Sequence, residues 1–176
     1  MRFAGLRAAL AAAVTLAGVA LTVPAASAAT TGGHGHGHGL RPQVFTLVIS
    51  TKTPDGVVNA YGPIRGRNGT DVQVSDNVDI FKFARGTVTV YHKPTTNNQP
   101  KVNEKSCTAT FTEKGTWKLT GGTGKYTGAT GQGRYSLSQF AVLQHKDHKC
   151  DTTGEPKFFK VKIFAWGKAA IIGHKH

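Results

Sequence analysis

The chain has 176 residues, of which 39% are hydrophobic, and it carries 22 Lys and Arg residues against 9 Asp and Glu. The formal charge of +13 favours contact with anionic cell-envelope polymers or lipid headgroups, and it also keeps an exported protein soluble. The basic residues are scattered and lack the aromatic stacking platform of single-strand binders, so nucleic acid is excluded from the expected partners.

The first 28 residues have the pattern of a secretory signal peptide. Arg2 and Arg7 form a basic region, residues 8–23 form an apolar core, and small residues fill positions 26–28. We expect cleavage after Ala28 and a secreted, extracellular protein. An uncleaved anchor is the alternative, because the apolar core approaches membrane-spanning length. No later stretch is apolar enough to span a bilayer, so the mature protein is expected to have no transmembrane segment.

Residues 29–42 form a Gly- and His-rich tail whose composition cannot bury apolar surface, so we expect it to be disordered. The alternating imidazoles of His34, His36 and His38 are weak candidates for binding Zn²⁺, Cu²⁺ or Ni²⁺. A solubilising tail without a selected metal is the favoured alternative, and no cofactor is expected. Residues 173–176 form a short His- and Lys-containing tail.

Between these tails, residues 43–172 alternate apolar and polar side chains with a period of two. The predicted strands, about eight in number, are Val44–Ile49, Val57–Tyr61, Thr70–Val74, the segments around Phe81 and Phe83 and around Val88 and Val90, Cys107–Phe111, Thr116–Leu119, Gln132–Val142 and Phe158–Ile172. Residues 113–115 are assigned to a turn, and residues 93–105 and 144–156 to polar connections. The pattern predicts an all-β fold, a single antiparallel barrel, with a β-sandwich as the alternative.

Two cysteines are present, Cys107 in a strand pattern and Cys150 at the end of a polar connection. In an exported protein an even pair predicts a disulfide, and a catalytic thiol is the less favoured alternative.

The most distinctive segment is GTWKLTGGTGKYTGATGQGRYS at 115–136. We expect Gly121, Gly122 and Gly124 to need a positive φ or a close strand approach, and Trp117 to pack inside the barrel. Three further segments, at 62–74, 79–93 and 105–115, precede it in order.

In these four segments the chain resembles secreted bacterial proteins with an allene oxide cyclase-like barrel, related in fold to plant allene oxide cyclases and dirigent proteins. The resemblance covers about residues 45–140. It implies a barrel cavity that holds a hydrophobic molecule, as plant relatives hold a fatty-acid epoxide or phenoxy radicals. The matched positions are structural glycines, threonines and aromatics, so the catalytic residues stay unknown.

The alternating apolar residues either fill the lumen or line a pocket that opens at one end. The candidate lining residues are Phe45, Leu47, Phe81, Phe83, Val90, Phe111, Trp117, Tyr135, Phe159 and Val161. We expect a noncatalytic module that binds a small apolar ligand. The alternatives are an isomerase or cyclase using the same cavity and a cell-envelope protein acting through its basic surface.

The sequence shows no nucleophilic triad, and His92 stands at a strand end. Asp71 and Glu113 are assigned to turns or loops, where capping and solvation are the usual roles of a carboxylate. Asp79 borders a strand without an obvious acid partner. An unsatisfied polar group deep in an open pocket would favour the enzyme, and a filled lumen would favour the envelope protein.

Overall fold

The computed structural model describes residues 39–96 and 98–172. This part of the chain is mostly strand, with one short 3₁₀ helix at Gly124–Tyr126. The strands are β1 (Arg41–Ser50), β2 (Thr53–Tyr61), β3 (Gly66–Ser75), β4 (Val78–Phe83), β5 (Gly86–Pro94), β6 (Lys101–Asn103), β7 (Thr108–Gly122), β8 (Ala129–Val142), β9 (Gln144–Lys146), β10 (Lys149–Asp151) and β11 (Phe158–Ile171).

The main sheet closes on itself. Its strands follow the order β5-β4-β3-β2-β1-β11-β8-β7-β6, and an additional pairing of β5 with β7 completes the ring. Eight antiparallel strands therefore form a closed barrel, which confirms the predicted architecture over the β-sandwich. The short strand β6 extends the edge of β7, and β9 with β10 forms a separate hairpin.

The sequence interpretation was wrong about the turn at residues 113–115. The strand β7 runs through it without interruption, and β8 pairs with it from Thr108 to Leu119. Gly115 permits this because a Cβ there would collide with the ring of Tyr135 on β8. Gly115 is thus a position within a strand where the Tyr135 side chain comes close to the backbone, whereas the sequence pattern suggests a turn there.

The predicted signal peptide, residues 29–38 with the three candidate histidines, and the tail at 173–176 lie outside the described residues. Strand β1 begins at Arg41, slightly upstream of the predicted domain start at Gln43.

Aromatic rings fill the middle of the barrel. Phe45 lies 5.5 Å from Phe81 and 5.4 Å from Trp117, measured between ring centroids. All three side chains are buried, and the Trp117 indole N–H donates to the carbonyl of Arg134 at 3.1 Å. The hydrogen bond satisfies the polar edge of the ring, so the indole fits an apolar core.

One end of the barrel is closed by the segment that joins β2 to β3. The Gln43 side chain is fully buried, accepts from the backbone N–H of Ile64 at 3.0 Å and donates to the Ile64 carbonyl at 3.1 Å. Tyr126 covers the same end, and its hydroxyl donates to the carbonyl of Arg65 at 2.6 Å. These contacts satisfy the buried polar groups of the segment and hold it as a plug.

A disulfide joins Cys107 and Cys150, as predicted, with 5.3 Å between the Cα atoms. It ties the β9–β10 hairpin to the start of β7. Beside it lies a second small core of Cys107, Ala141 and Leu143, against which Phe159 packs.

Among the described residues, no helix has the length and apolar character needed to cross a membrane.

Candidate functional site

A cluster of ionisable side chains lies inside the barrel at the end opposite the plug. It consists of Asp71 on β3, Asp79 on β4, His92 on β5, Glu113 on β7 and Tyr135 on β8. We call it the polar cluster.

The period of two explains why these groups point inward. Asp79 stands two residues before the buried Phe81, and His92 stands two residues after the buried Val90. Asp71 lies directly across from Phe81 in the β3–β4 pair. Side chains opposite one another in a sheet share a face, so all three follow the apolar core into the lumen.

Asp79 and His92 form an ion pair, with 3.2 Å between Oδ2 and Nε2. The hydrogen bond to Asp79 is the main cause of the raised pKa of His92, and burial opposes it. The side chains of His92 and Asp79 keep 24% and 16% of their accessible surface, so solvent reaches this end of the barrel. The pair is therefore within reach of a ligand entering from outside, and it is an ion pair when His92 is protonated.

Tyr135 extends the cluster across the lumen. Its hydroxyl donates to Glu113 Oε1 at 2.6 Å, and its ring meets that of His92 edge to face at 6.0 Å. Burial, followed by the hydrogen bond to Glu113, raises the pKa of Tyr135 above its ordinary value. The phenol therefore stays protonated and acts as a donor at physiological pH.

Asp71 is the unusual member. Its Oδ1 is buried and has no hydrogen-bond partner among the described residues. The pKa of this carboxyl is raised from 3.8 to about 7, mainly by burial and also by nearby Asp79, while His92 lowers it. A buried carboxyl oxygen without a partner is costly, so it marks a place where a donor from outside would be stabilised.

Gly56 on β2 makes room for this carboxyl. A Cβ at Gly56 would stand 3.2 Å from the Asp71 Cβ and 3.1 Å from the Leu47 Cδ1, and the residue has a φ of +68°. Both the space and the backbone conformation therefore favour glycine.

The opposite wall of this end is apolar. Ile49, Leu137 and Ile163 are half-buried and pack against the main core. Leu137 pairs with Glu113 on one side and with Ile163 on the other, so the polar and apolar walls meet in one row of the sheet. The lumen at this end is thus amphipathic.

About 710 Å³ of open space lies against β1, β7, β8 and β11. Its lining includes Leu47 and Leu137, which point inward, and Thr46 and Ser136, which point outward. Most of its strand residues point outward, namely Thr46, Val48, Thr112, Lys114, Ser136, Ser138, Lys162 and Phe164, so this space lies chiefly on the outer face of the sheet and is distinct from the lumen.

The candidate lining residues divide into two groups. Seven are buried in the main core, namely Phe45, Leu47, Phe81, Phe83, Val90, Trp117 and Tyr135. Three are half-buried, namely Phe111, Phe159 and Val161. Of all ten, Tyr135 is the one that touches the polar cluster through a hydrogen bond. Ligand contact by these residues stays a prediction.

Sequence reasoning missed most of the polar cluster. Glu113 is predicted in a turn but lies within β7, and Asp71, which is inside the predicted strand Thr70–Val74, contributes to the barrel interior where a capping or solvated role was expected. The signal that could have found Asp79 and His92 is their spacing of two residues from buried Phe81 and Val90.

Among the described residues, no group of three or more His, Cys, Asp or Glu side chains is arranged to hold a metal ion. Comparison with known proteins finds no matching family model, curated protein or solved structure.

Proposed function

We propose that the protein is an extracellular module that binds a small, mostly apolar ligand at the polar-cluster end of the barrel. The observation that carries the proposal is the buried, unpartnered oxygen of Asp71 facing a half-buried apolar wall. The apolar body of the ligand lies against Leu137 and Ile163, and one donor group on the ligand meets Asp71.

Membership of the allene oxide cyclase-like barrel family is part of this proposal. Its support is the order of the glycine-containing segments at 62–74, 79–93, 105–115 and 115–136, together with the closed eight-stranded barrel. A barrel of this size has an interior that side chains fill or that holds one small ligand.

The test is equilibrium binding of Nile red, a neutral apolar probe, to the full chain. Leu137→Phe adds bulk inside the polar-cluster end and should weaken binding several-fold, because the probe and the added ring compete for one space. The matched control is Val44→Phe, since Val44 is half-buried on the outer face of β1, does not border the open space, and should leave binding unchanged. Absence of binding, or equal effects of the two variants, would contradict the proposal.

An isomerase or cyclase is the second candidate, and Asp71 favours it. A carboxyl with a pKa of about 7 is suited to donate or accept a proton near neutral pH, and the hydrogen-bonded His92–Asp79 pair lies in the same cluster. The test substrate is a fatty-acid epoxide. For an enzyme, Asp71→Asn should abolish turnover while Nile red binding persists; for a noncatalytic module, neither protein should convert the epoxide.

A further inference from the structure

The outer face of β11, β8 and β7, three adjacent strands, carries several positive charges and no negative one. The outward positions hold Lys114, Lys118, Arg134, Lys160, Lys162 and Lys168, all of them exposed. Glu113 is the single carboxylate in these strands, and it belongs to the interior cluster. Across residues 39–96 and 98–172, none of these cations pairs with a carboxylate. We call this surface the cationic face.

Aromatic rings lie among the cations on the same face. Phe164 and Trp166 are stacked at 5.6 Å between centroids and keep 48% and 41% of their surface exposed. Phe140 and Phe158, 6.5 Å apart, form a second exposed pair. Large exposed aromatic side chains that cluster on one surface mark interaction sites.

The two aromatic pairs are spaced along the strands. Phe158 and Phe164 are on the same face of β11, six residues apart, which corresponds to about 20 Å of strand. Lys160 and Lys162 project from that face between them. The surface therefore alternates ring platforms with positive charge along one direction, and a compact ligand would not span it.

We propose that the cationic face binds a linear acidic polysaccharide. The aromatic pairs stack on the apolar faces of sugar rings, and the intervening lysines meet the carboxylates of the polymer. Rings and lysines that alternate along the strands fit a partner with repeating flat apolar rings and repeating negative charges. A linear acidic polysaccharide has both.

Two other occupants fit the face less well. A second copy would bring like charges together, because no carboxylate stands on this surface to oppose the lysines of the partner. A protein surface that inserts into a bilayer interface needs a continuous apolar region. On this face Lys160 and Lys162 lie between the two aromatic pairs and interrupt the apolar surface.

The experiment measures binding of the full chain to polygalacturonate and to hyaluronate, with neutral amylose as the control polymer. We expect binding to both acidic polymers, weakening as salt is added, and none to amylose. Absence of binding to both acidic polymers would overturn the proposal.

Two double variants locate the surface. Phe164→Ala with Trp166→Ala should weaken binding roughly tenfold while keeping its salt dependence, and Lys160→Ser with Lys162→Ser should weaken it and flatten the salt dependence. The matched control is Arg67→Ser with Lys82→Ser, which removes the same charge from exposed positions on β3 and β4. Thermal melts verify that all three remain folded, since the changed side chains are exposed.

Each remaining outcome is decisive. Equal weakening by the control pair would mean that net charge alone drives binding. If the protein sediments with vesicles of phosphatidylglycerol and phosphatidylcholine in equal parts and does not bind the polysaccharides, the partner of the cationic face is a lipid surface. A dimer in analytical ultracentrifugation that the Phe164 and Trp166 variant dissolves would identify a second copy.

Discussion

Asp71 is the residue whose environment departs most from that of a surface carboxylate. Its Oδ1 has no partner in the described part of the chain, and its position beside Gly56 keeps it inside the barrel. Such a group lowers the stability of the folded protein when it is charged, so a charged Asp71 does not help to hold the fold together.

Stability should fall with rising pH because of this group. Burial raises the pKa of Asp71 from 3.8 to about 7, so between those values the folded protein binds a proton more tightly than the unfolded chain. The stabilisation is complete below about pH 4 and is lost by about pH 7, on the order of 2–4 kcal/mol. His92, whose pKa is also raised, acts in the same sense.

Urea melts of the wild type and of Asp71→Asn across this pH range measure the effect. In Asp71→Asn the free energy of unfolding should fall much less between pH 4 and 7 than in the wild type. Asp55→Asn, at an exposed position of β2, should show the same fall as the wild type. A wild-type stability that rises between pH 4 and 7 would show that Asp71 is not held in a desolvated site.

Trp117 is expected to be the largest single contributor among the aromatic residues. It is 3% exposed and packs on Phe45, so Trp117→Ala should cost about 3–5 kcal/mol. Trp166→Ala removes the same side chain from a position that is 41% exposed and should change stability by less than about 0.5 kcal/mol. Denaturant midpoints compare the two, and similar losses would contradict the assigned burial.

At the scale of elements, the glycine-rich turn between β7 and β8 differs from its sequence interpretation at one position. Gly124 has a φ of +59°, and a Cβ at Gly122 would collide with the carbonyl of Tyr126. A Cβ at Gly121 would meet nothing within 4 Å, so the expectation was wrong for Gly121. Sequence alone cannot separate these neighbours, because the constraint comes from the returning backbone at Tyr126.

This difference predicts that alanine substitutions at the adjacent positions Gly121 and Gly122 change stability by different amounts. Gly122→Ala should destabilise the protein by more than about 1 kcal/mol, because the neighbouring carbonyl belongs to the backbone and cannot move aside cheaply. Gly121→Ala should be nearly neutral. Thermal melts of the two variants measure the difference, and equal midpoints would contradict the described turn.

The disulfide should stabilise the connection between β7 and the β9–β10 hairpin. Its cysteines are 43 residues apart, and closing such a loop in the unfolded chain contributes about 3–4 kcal/mol. We expect the double variant Cys107→Ser and Cys150→Ser to lose that amount, while the intact mass of the wild type shows the two-hydrogen deficit. Two alkylatable thiols in unreduced protein would contradict the bond.

At the scale of the whole molecule, period-two alternation predicted an all-β fold and favoured a barrel, because Phe45, Phe81 and Val90 each repeat the inward face of their strand, but it left a β-sandwich as the alternative. The alternation could not show which strands are neighbours. The polar cluster joins groups from β3, β4, β5, β7 and β8, and Tyr135 meets Glu113 from 22 positions away, a contact set by sheet register.

Whether the polar-cluster end admits a small ligand is tested by native mass spectrometry of protein purified from culture medium. We expect the wild type to retain a small molecule that Leu137→Phe loses and Val44→Phe keeps, because Leu137 lines the interior and Val44 lies on the outer face of β1. A wild-type spectrum of bare protein, together with no uptake of Nile red, would contradict the claim and leave the barrel as a filled scaffold.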